Sequence, residues 1–230
     1  IIKSIDDGIP VLAFGIIGPP ECLIISGYDE NGDVLIGWSH FQDFEPCSKE
    51  SNGMFRKANW YENLWKVIIV GKKIGRKISN KDVLELGLSI LKKTKSEGYI
   101  AGLAAYDEWI KYLLNSELDH ASDDVLKARH DLHYKLTGNM AEARYWGGTF
   151  LDKVAEDINH QNIKEAALCF KNIHDLCWKV WGVLGDYRDQ DLWKKFGDYQ
   201  NRKRIAEIVK EMKSMDEKAI EYLTSALEEI

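Results

Sequence analysis

Four cysteines, Cys22, Cys47, Cys169 and Cys177, are the side chains through which this chain would carry out nucleophilic chemistry. A thiol attacks as its thiolate, and a cationic neighbour or a helix N-terminus is what normally supplies that form. The surroundings here work against it. Cys22 follows Glu21 in an apolar run, Cys47 lies between Glu45 and Glu50, and Cys169 and Cys177 fall inside a helical stretch. The last two are about 12 Å apart along such a helix, too far for a disulfide, and the chain has no Cys-x-x-Cys pair. A reduced, cytoplasmic protein without thiol hydrolase activity is the natural expectation.

Metal chemistry has a weaker basis. His130 and His133 stand three apart on a predicted helix and could reach one ion. Two histidines make half a site, Asp131 faces elsewhere, and nothing in the sequence brings His174 and Cys177 to them. No metal and no other cofactor is expected. Trp109, Trp146, Trp178 and Trp181 recur on apolar helices, which favours core packing over an aromatic ligand cage. Gly147-Gly148 inside a helix costs about 1 kcal/mol per glycine against alanine, which points to a close helix approach or a break. Arg202-Lys203-Arg204 reads as a solvated helix start.

The elements that must position these residues change character along the chain. Residues 1–7 read as the last turns of a helix stopped by Gly8. Apolar runs at 9–14 and 22–26 read as strands. Asn31-Gly32, a type I′ turn signal, leads into a third strand at 33–38. Residues 39–61 read as a long aromatic-bearing loop, 64–70 as a fourth strand and Gly71 to Lys77 as a basic linker. From the capping-box-like Ser79-Asn80-Lys81-Asp82 onward the period is helical. Helices are predicted around Leu84, Trp109, Leu126, Leu151, Ile173 and Val209, and a last one starts at a second capping box, Ser214-Met215-Asp216-Glu217. The expected class is α+β: an antiparallel β unit over residues 1–77, then an all-α bundle over 78–230. The bundle is expected to share one core lined by Trp109, Phe150, Leu151, Ile173 and Leu223.

Composition bounds the partners. The chain has 230 residues, 45% hydrophobic and 30% charged, with a formal net charge of -6. That is enough apolar material for real cores, and the wrong sign for a duplex nucleic-acid binder. No apolar run approaches the roughly 20 residues that span a bilayer. The chain begins Ile1-Ile2 without an initiator methionine, which leaves an upstream segment open.

One stretch carries a resemblance. Ile5-Asp6-Asp7-Gly8-Ile9-Pro10-Val11-Leu12, followed by Glu21-Cys22-Leu23-Ile24-Ile25-Ser26-Gly27-Tyr28-Asp29-Glu30, resembles the second half of papain-like domains of the C39-like peptidase type. Within that superfamily it is similar to the butirosin-biosynthesis-H-type family. The resemblance covers about residues 1 to 40. It implies a helix ending in a Gly-x-Pro strand, a second strand that opens with a catalytic histidine and runs to Gly-Tyr-Asp, and a third strand supplying an Asp or Asn. The histidine keeps an upstream cysteine as thiolate, and the acid or amide orients the imidazole.

The chain departs from this pattern at each place. Glu21 stands where the family has its histidine, the orienting acid falls at Gly37 or Trp38, and no cysteine precedes the first strand. Glu21 and Cys22 at the mouth of the implied cleft, with Trp38 and His40 on the third strand, are the candidate site. The competing reading makes Glu21 a loop cap, Cys22 an ordinary strand cysteine and His40 a hydrogen-bonded loop residue. The leading expectation is a catalytically incomplete papain-like unit joined to a helical domain, binding an unknown small molecule or peptide. Two rivals stand beside it. One is a thiol-dependent acyl transferase or amidase whose cysteine lies upstream. The other is a structural helical unit that forms a homo-oligomer.

Overall fold

Alternation decides the first unit: Leu23 and Ile25 are buried while Cys22, Ile24 and Ser26 between them are exposed, the period of a strand with one covered face. The computed structural model describes residues 1–19, 21–43, 47–73, 75, 78–186 and 189–230. The predicted linker at Gly71 to Lys77 falls partly outside these residues, as do Pro20 and Glu45. The chain is α+β and divides into two units, residues 1–76 and 77–230.

The first unit opens with α1 (Ile2–Asp6), followed by β1 (Val11–Phe14), β2 (Cys22–Asp29), β3 (Val34–Trp38), β4 (Ser48–Lys49), β5 (Phe55–Ala58) and β6 (Lys66–Ile69). They form one sheet in the order β4-β5-β3-β2-β1-β6, antiparallel throughout. Val11, Ala13, Leu23, Ile25, Leu35 and Phe55 make its core with Ile16 and Ile17. The opposite face carries a cross-sheet row, Ile68, Leu12, Ile24 and Trp38, set by the register.

The predicted β2–β3 hairpin is present, but its turn is wider than a two-residue type I′. Asp29 pairs with Val34, so residues 30–33 make the connection, with Glu30, Asn31 and Gly32 all at positive φ. The Asp29 carboxylate accepts from the Glu30 amide (2.8 Å), and the Trp60 indole donates to the Gly32 carbonyl (2.9 Å). These side-chain bonds satisfy backbone groups that a tight turn would pair with each other. The predicted loop at 39–61 contains β4 and β5. Phe55 stands opposite Gly37 and fills the core, while Arg56 bonds Asp29 (2.7 Å) and Glu50 (2.6 Å). Phe55 is the one buried residue of β5 and is followed by Arg56 and Lys57, so there is no period to read.

The second unit comprises α2 (Asn80–Leu91), a short hairpin of β7 (Lys95–Ser96) and β8 (Tyr99–Ile100), α3 (Leu103–Leu113), α4 (Asp123–Ile158), α5 (Gln161–Leu184), α6 (Leu192–Gly197) and α7 (Tyr199–Glu229). Ser79 and Asp82 close the predicted capping box at the start of α2. The second predicted box does not form. Asp216 turns inward instead of capping, so two predicted helices are one continuous α7. In the same way α4 runs unbroken through Gly138 and Gly147-Gly148, where two helices and a break were open readings. The glycine pair is a close approach. A Cβ at Gly147 would lie 2.9 Å from the Phe170 ring, and one at Gly148 would lie 3.1 Å from Lys171 Cγ and 3.3 Å from the Ala167 carbonyl.

The expected single core is two. Ile173, Cys177, Val180, Phe196, Val209 and Met212 form one cluster with Trp109 at its edge. Leu84, Leu88, Leu151, Ile163, Phe170 and Leu223 form the other, and Met215 packs against both. Phe150 belongs to neither, being 40% exposed. Trp146 and Trp178 are also outside, at 61% and 58% exposure. Small residues make the α4–α5 seam, and the indoles lie on its outer side against neighbouring rings.

Arg202 reverses its expected place. It is fully buried, where a solvated helix start was predicted. Its guanidinium donates to the carbonyls of Leu113 (3.0 Å), Phe196 (3.3 Å) and Gly197 and pairs with Asp119. Those carbonyls end α3 and α6, where helices lack internal donors and favour a cation. Among the described residues no helix is long and apolar enough to cross a membrane.

Candidate functional site

The cleft residues implied by the resemblance do not converge. Glu21 and Cys22 are exposed, and Cys22 pairs with Phe14 on β1. Trp38, half exposed, ends β3 opposite Ile24. Extending that register would set His40 against Cys22, but the ladder stops at Trp38 and the chain turns at Ser39. The expectation that Trp38 and His40 share one face of an extended strand is therefore corrected. His40 lies in a turn against the Phe41 ring and makes no hydrogen bond to Cys22. Gly37 cannot be the orienting acid, because a Cβ there would collide with the Ile24 carbonyl. The Gly27-Tyr28-Asp29 motif does structural work. Tyr28 donates to Asp6 of α1 (2.7 Å), and Asp29 holds the hairpin and Arg56.

The histidines are separately occupied. His133 is buried and stacks on Phe196, and its Nδ1 accepts from the Trp109 indole (3.3 Å). Burial, with a smaller push from His130, holds its pKa down to about 4. His174 Nδ1 lies 3.0 Å from the Ala141 carbonyl, and its Nε2 accepts from the Trp178 indole (3.1 Å). Among the described residues no three potential metal ligands come together.

Chemistry-bearing groups do converge in the second unit, at a place the sequence did not single out. Arg144 of α4 and Asp216 of α7 form a bidentate pair, Nε to Oδ1 at 3.1 Å and Nη2 to Oδ2 at 2.6 Å. Tyr106 of α3 donates to the same Oδ2 at 2.7 Å. Arg144 also lies over the Phe170 ring, 4.6 Å from its centroid. Both partners are largely buried. Burial opposes the Arg144 charge most, yet Asp216 and Tyr106 together outweigh it and the guanidinium pKa is raised. Burial first, and then the Asp216 charge, hold the Tyr106 hydroxyl well above its ordinary pKa. Arg144 therefore stays charged and Tyr106 stays a donor across the neutral range.

Above this network runs an apolar groove between α2 and α4. One chamber of about 300 Å³ lies among Leu103, Tyr106, Trp109, Leu136, Met140 and Ile220. A second, of about 230 Å³, lies among Val83, Gly87, Gly147, Phe150, Leu151 and Leu223. Ile90, Leu91 and Arg144 border both. The sequence did carry a faint signal. Asp216 interrupts the stripe Val209, Met212, Ala219 and Leu223, and Arg144 interrupts Thr137, Ala141, Gly148 and Leu151, each at helical spacing. A charge on a buried face needs a partner.

No family model, curated protein or solved structure matches the chain.

Proposed function

We propose that this chain is a binding module: a papain-like unit without its catalytic set, joined to a helical unit that holds an elongated apolar small molecule in the α2–α4 groove. The observation that carries the reading is the groove itself. Two apolar chambers meet at one partly buried guanidinium, the pattern of a ligand site with apolar walls and few polar groups. The non-catalytic reading of the first unit is supported by Glu21 at the histidine place, by the lack of room for a side chain at Gly37, and by Cys22 and His40 remaining unbonded to each other. Four free cysteines favour a reducing, cytoplasmic compartment. The net charge of -6 favours a small-molecule partner over nucleic acid.

Gly87 gives the test. It borders the second chamber, and a Cβ there meets nothing within 4 Å. Gly87→Leu fills the chamber while replacing a helix-interior glycine, so stability is kept or raised. Titration with Nile red, read by fluorescence, should show binding to the native chain and at least about tenfold weaker binding to the variant, since filling the chamber removes apolar contact worth 1.4 kcal/mol or more. Equal binding to a folded Gly87→Leu chain rejects the groove as the site.

A further inference from the structure

The polar end of the ligand follows from which hydrogen-bonding groups the Arg144–Asp216–Tyr106 network leaves unused, and the argument rests on the groove being the site. Both oxygens of Asp216 are engaged. Its Oδ1 accepts from Arg144 Nε, and its Oδ2 accepts from both Arg144 Nη2 and Tyr106. Tyr106 has given its only proton to Asp216. Arg144 Nη1 makes no hydrogen bond among the described residues, and it is not one of the polar atoms sealed from solvent without a partner. A guanidinium carries five donors in a fixed fork. Nε and Nη2 each spend one proton on Asp216, and both protons of Nη1 remain unused on a residue that borders both chambers.

Charge selects among acceptors. Arg144 and Asp216 cancel, so the junction offers a donor without net positive charge. A ligand carboxylate bonding to Nη1 would come within a few ångströms of the Asp216 carboxylate in a poorly screened setting, where like charges repel strongly. A cation has no acceptor to offer. A neutral carbonyl takes the Nη1 hydrogen bond without that repulsion, and the bond is strengthened by the donor's charge. Shape selects a chain. The wall along α4 from Leu136 to Leu151 is about 22 Å long at 1.5 Å per residue. Ile90 and Leu91 border both chambers. A partner helix, about 10–12 Å across, needs one wide trough, whereas the space here is divided into two chambers of about 300 and 230 Å³.

We infer that the groove binds a linear aliphatic chain carrying a neutral carbonyl, a long-chain amide or ester, with the carbonyl oxygen on Arg144 Nη1 and apolar segments in the chambers on either side.

Isothermal titration of the full chain with N-methyldodecanamide, dodecanoate and dodecyltrimethylammonium tests this. The amide should bind about tenfold or more tightly than either charged probe, because the ammonium cannot accept the Nη1 bond and the carboxylate takes it only against the Asp216 charge. The double variant Arg144→Leu with Asp216→Leu removes the donor and its partner together, a replacement that apolar residues of similar size usually tolerate. It should bind amide and carboxylate within about threefold of each other, because the donor and the repelling carboxylate are both gone. Should dodecanoate bind the native chain as well as the amide does, the carbonyl assignment is wrong while the groove stands. A folded double variant that keeps the amide preference also overturns the assignment. Failure of all three probes, alongside failure of Nile red, rejects the groove. If the double variant does not fold, the ranking on the native chain decides alone.

Discussion

Arg144 and Asp216 lie on α4 and α7 and share a bidentate ion pair at the floor of the apolar groove, which Ile90 and Leu91 border, and Tyr106 bridges the pair to α3. One carboxylate thus ties three helices together. Removing it strands a buried guanidinium, and removing the guanidinium strands a buried carboxylate.

Asp216→Ala should therefore lower stability by about 3–5 kcal/mol. Arg144→Leu with Asp216→Leu should cost far less than the two single changes added together. Urea midpoints of the two single variants and the double measure the coupling. Additive losses would mean that the pair does not hold α4 to α7.

Two helical glycines should respond in opposite directions to alanine. Gly147→Ala pushes a methyl against Phe170 and should destabilise by about 1–3 kcal/mol through overpacking. Gly87→Ala meets open space and should stabilise by up to about 1 kcal/mol through helix propensity. Thermal melts distinguish the two. A stabilising Gly147→Ala would contradict the close approach of α4 and α5.

His133 predicts a pH dependence with a definite sign. Its folded pKa lies near 4, below the ordinary 6.5, because burial disfavours the cation. The unfolded chain therefore takes up this proton first as pH falls. The stability that His133 contributes is complete above about pH 6.5 and is lost progressively down to about pH 4, in total on the order of 3 kcal/mol. The difference in urea midpoint between native chain and His133→Phe, followed from pH 7 to pH 4, isolates this group from the carboxylates. A difference that stays constant across that window refutes the assignment.

The cysteines should divide by burial. Cys177 is fully buried, and burial pushes its thiol up to about 12. Cys169 is buried too, and its thiol is raised for the same reason. Cys22 is exposed. Iodoacetamide at pH 8, read by peptide mass spectrometry, should label Cys22 in the folded chain and reach Cys169 and Cys177 only after unfolding. Labelling of Cys177 in the native state would show that the α4–α5–α7 core opens locally.

What the sequence determined by itself was whatever depends on neighbours along the chain. The short apolar run from Cys22 to Ser26 determined a strand, while which of its residues face the core was left to the sheet. Asn31-Gly32 determined a reversal there, and Ser79 with Asp82 determined where the first long helix of the bundle starts. These follow from local sterics and backbone hydrogen bonding, which act over a few residues. Tertiary structure decided what depends on residues far apart. Phe55 became part of a strand because β3 was there to pair with it. Asp216 became a core ion pair and not a helix cap because Arg144, 72 residues earlier, faced it. Arg202, which sits in a run of three basic residues that reads as solvent-facing, was drawn inside by the carbonyl ends of α3 and α6. A side chain's charge and hydrogen-bonding capacity are written in the sequence, but the partner that satisfies them is chosen only when the helices meet.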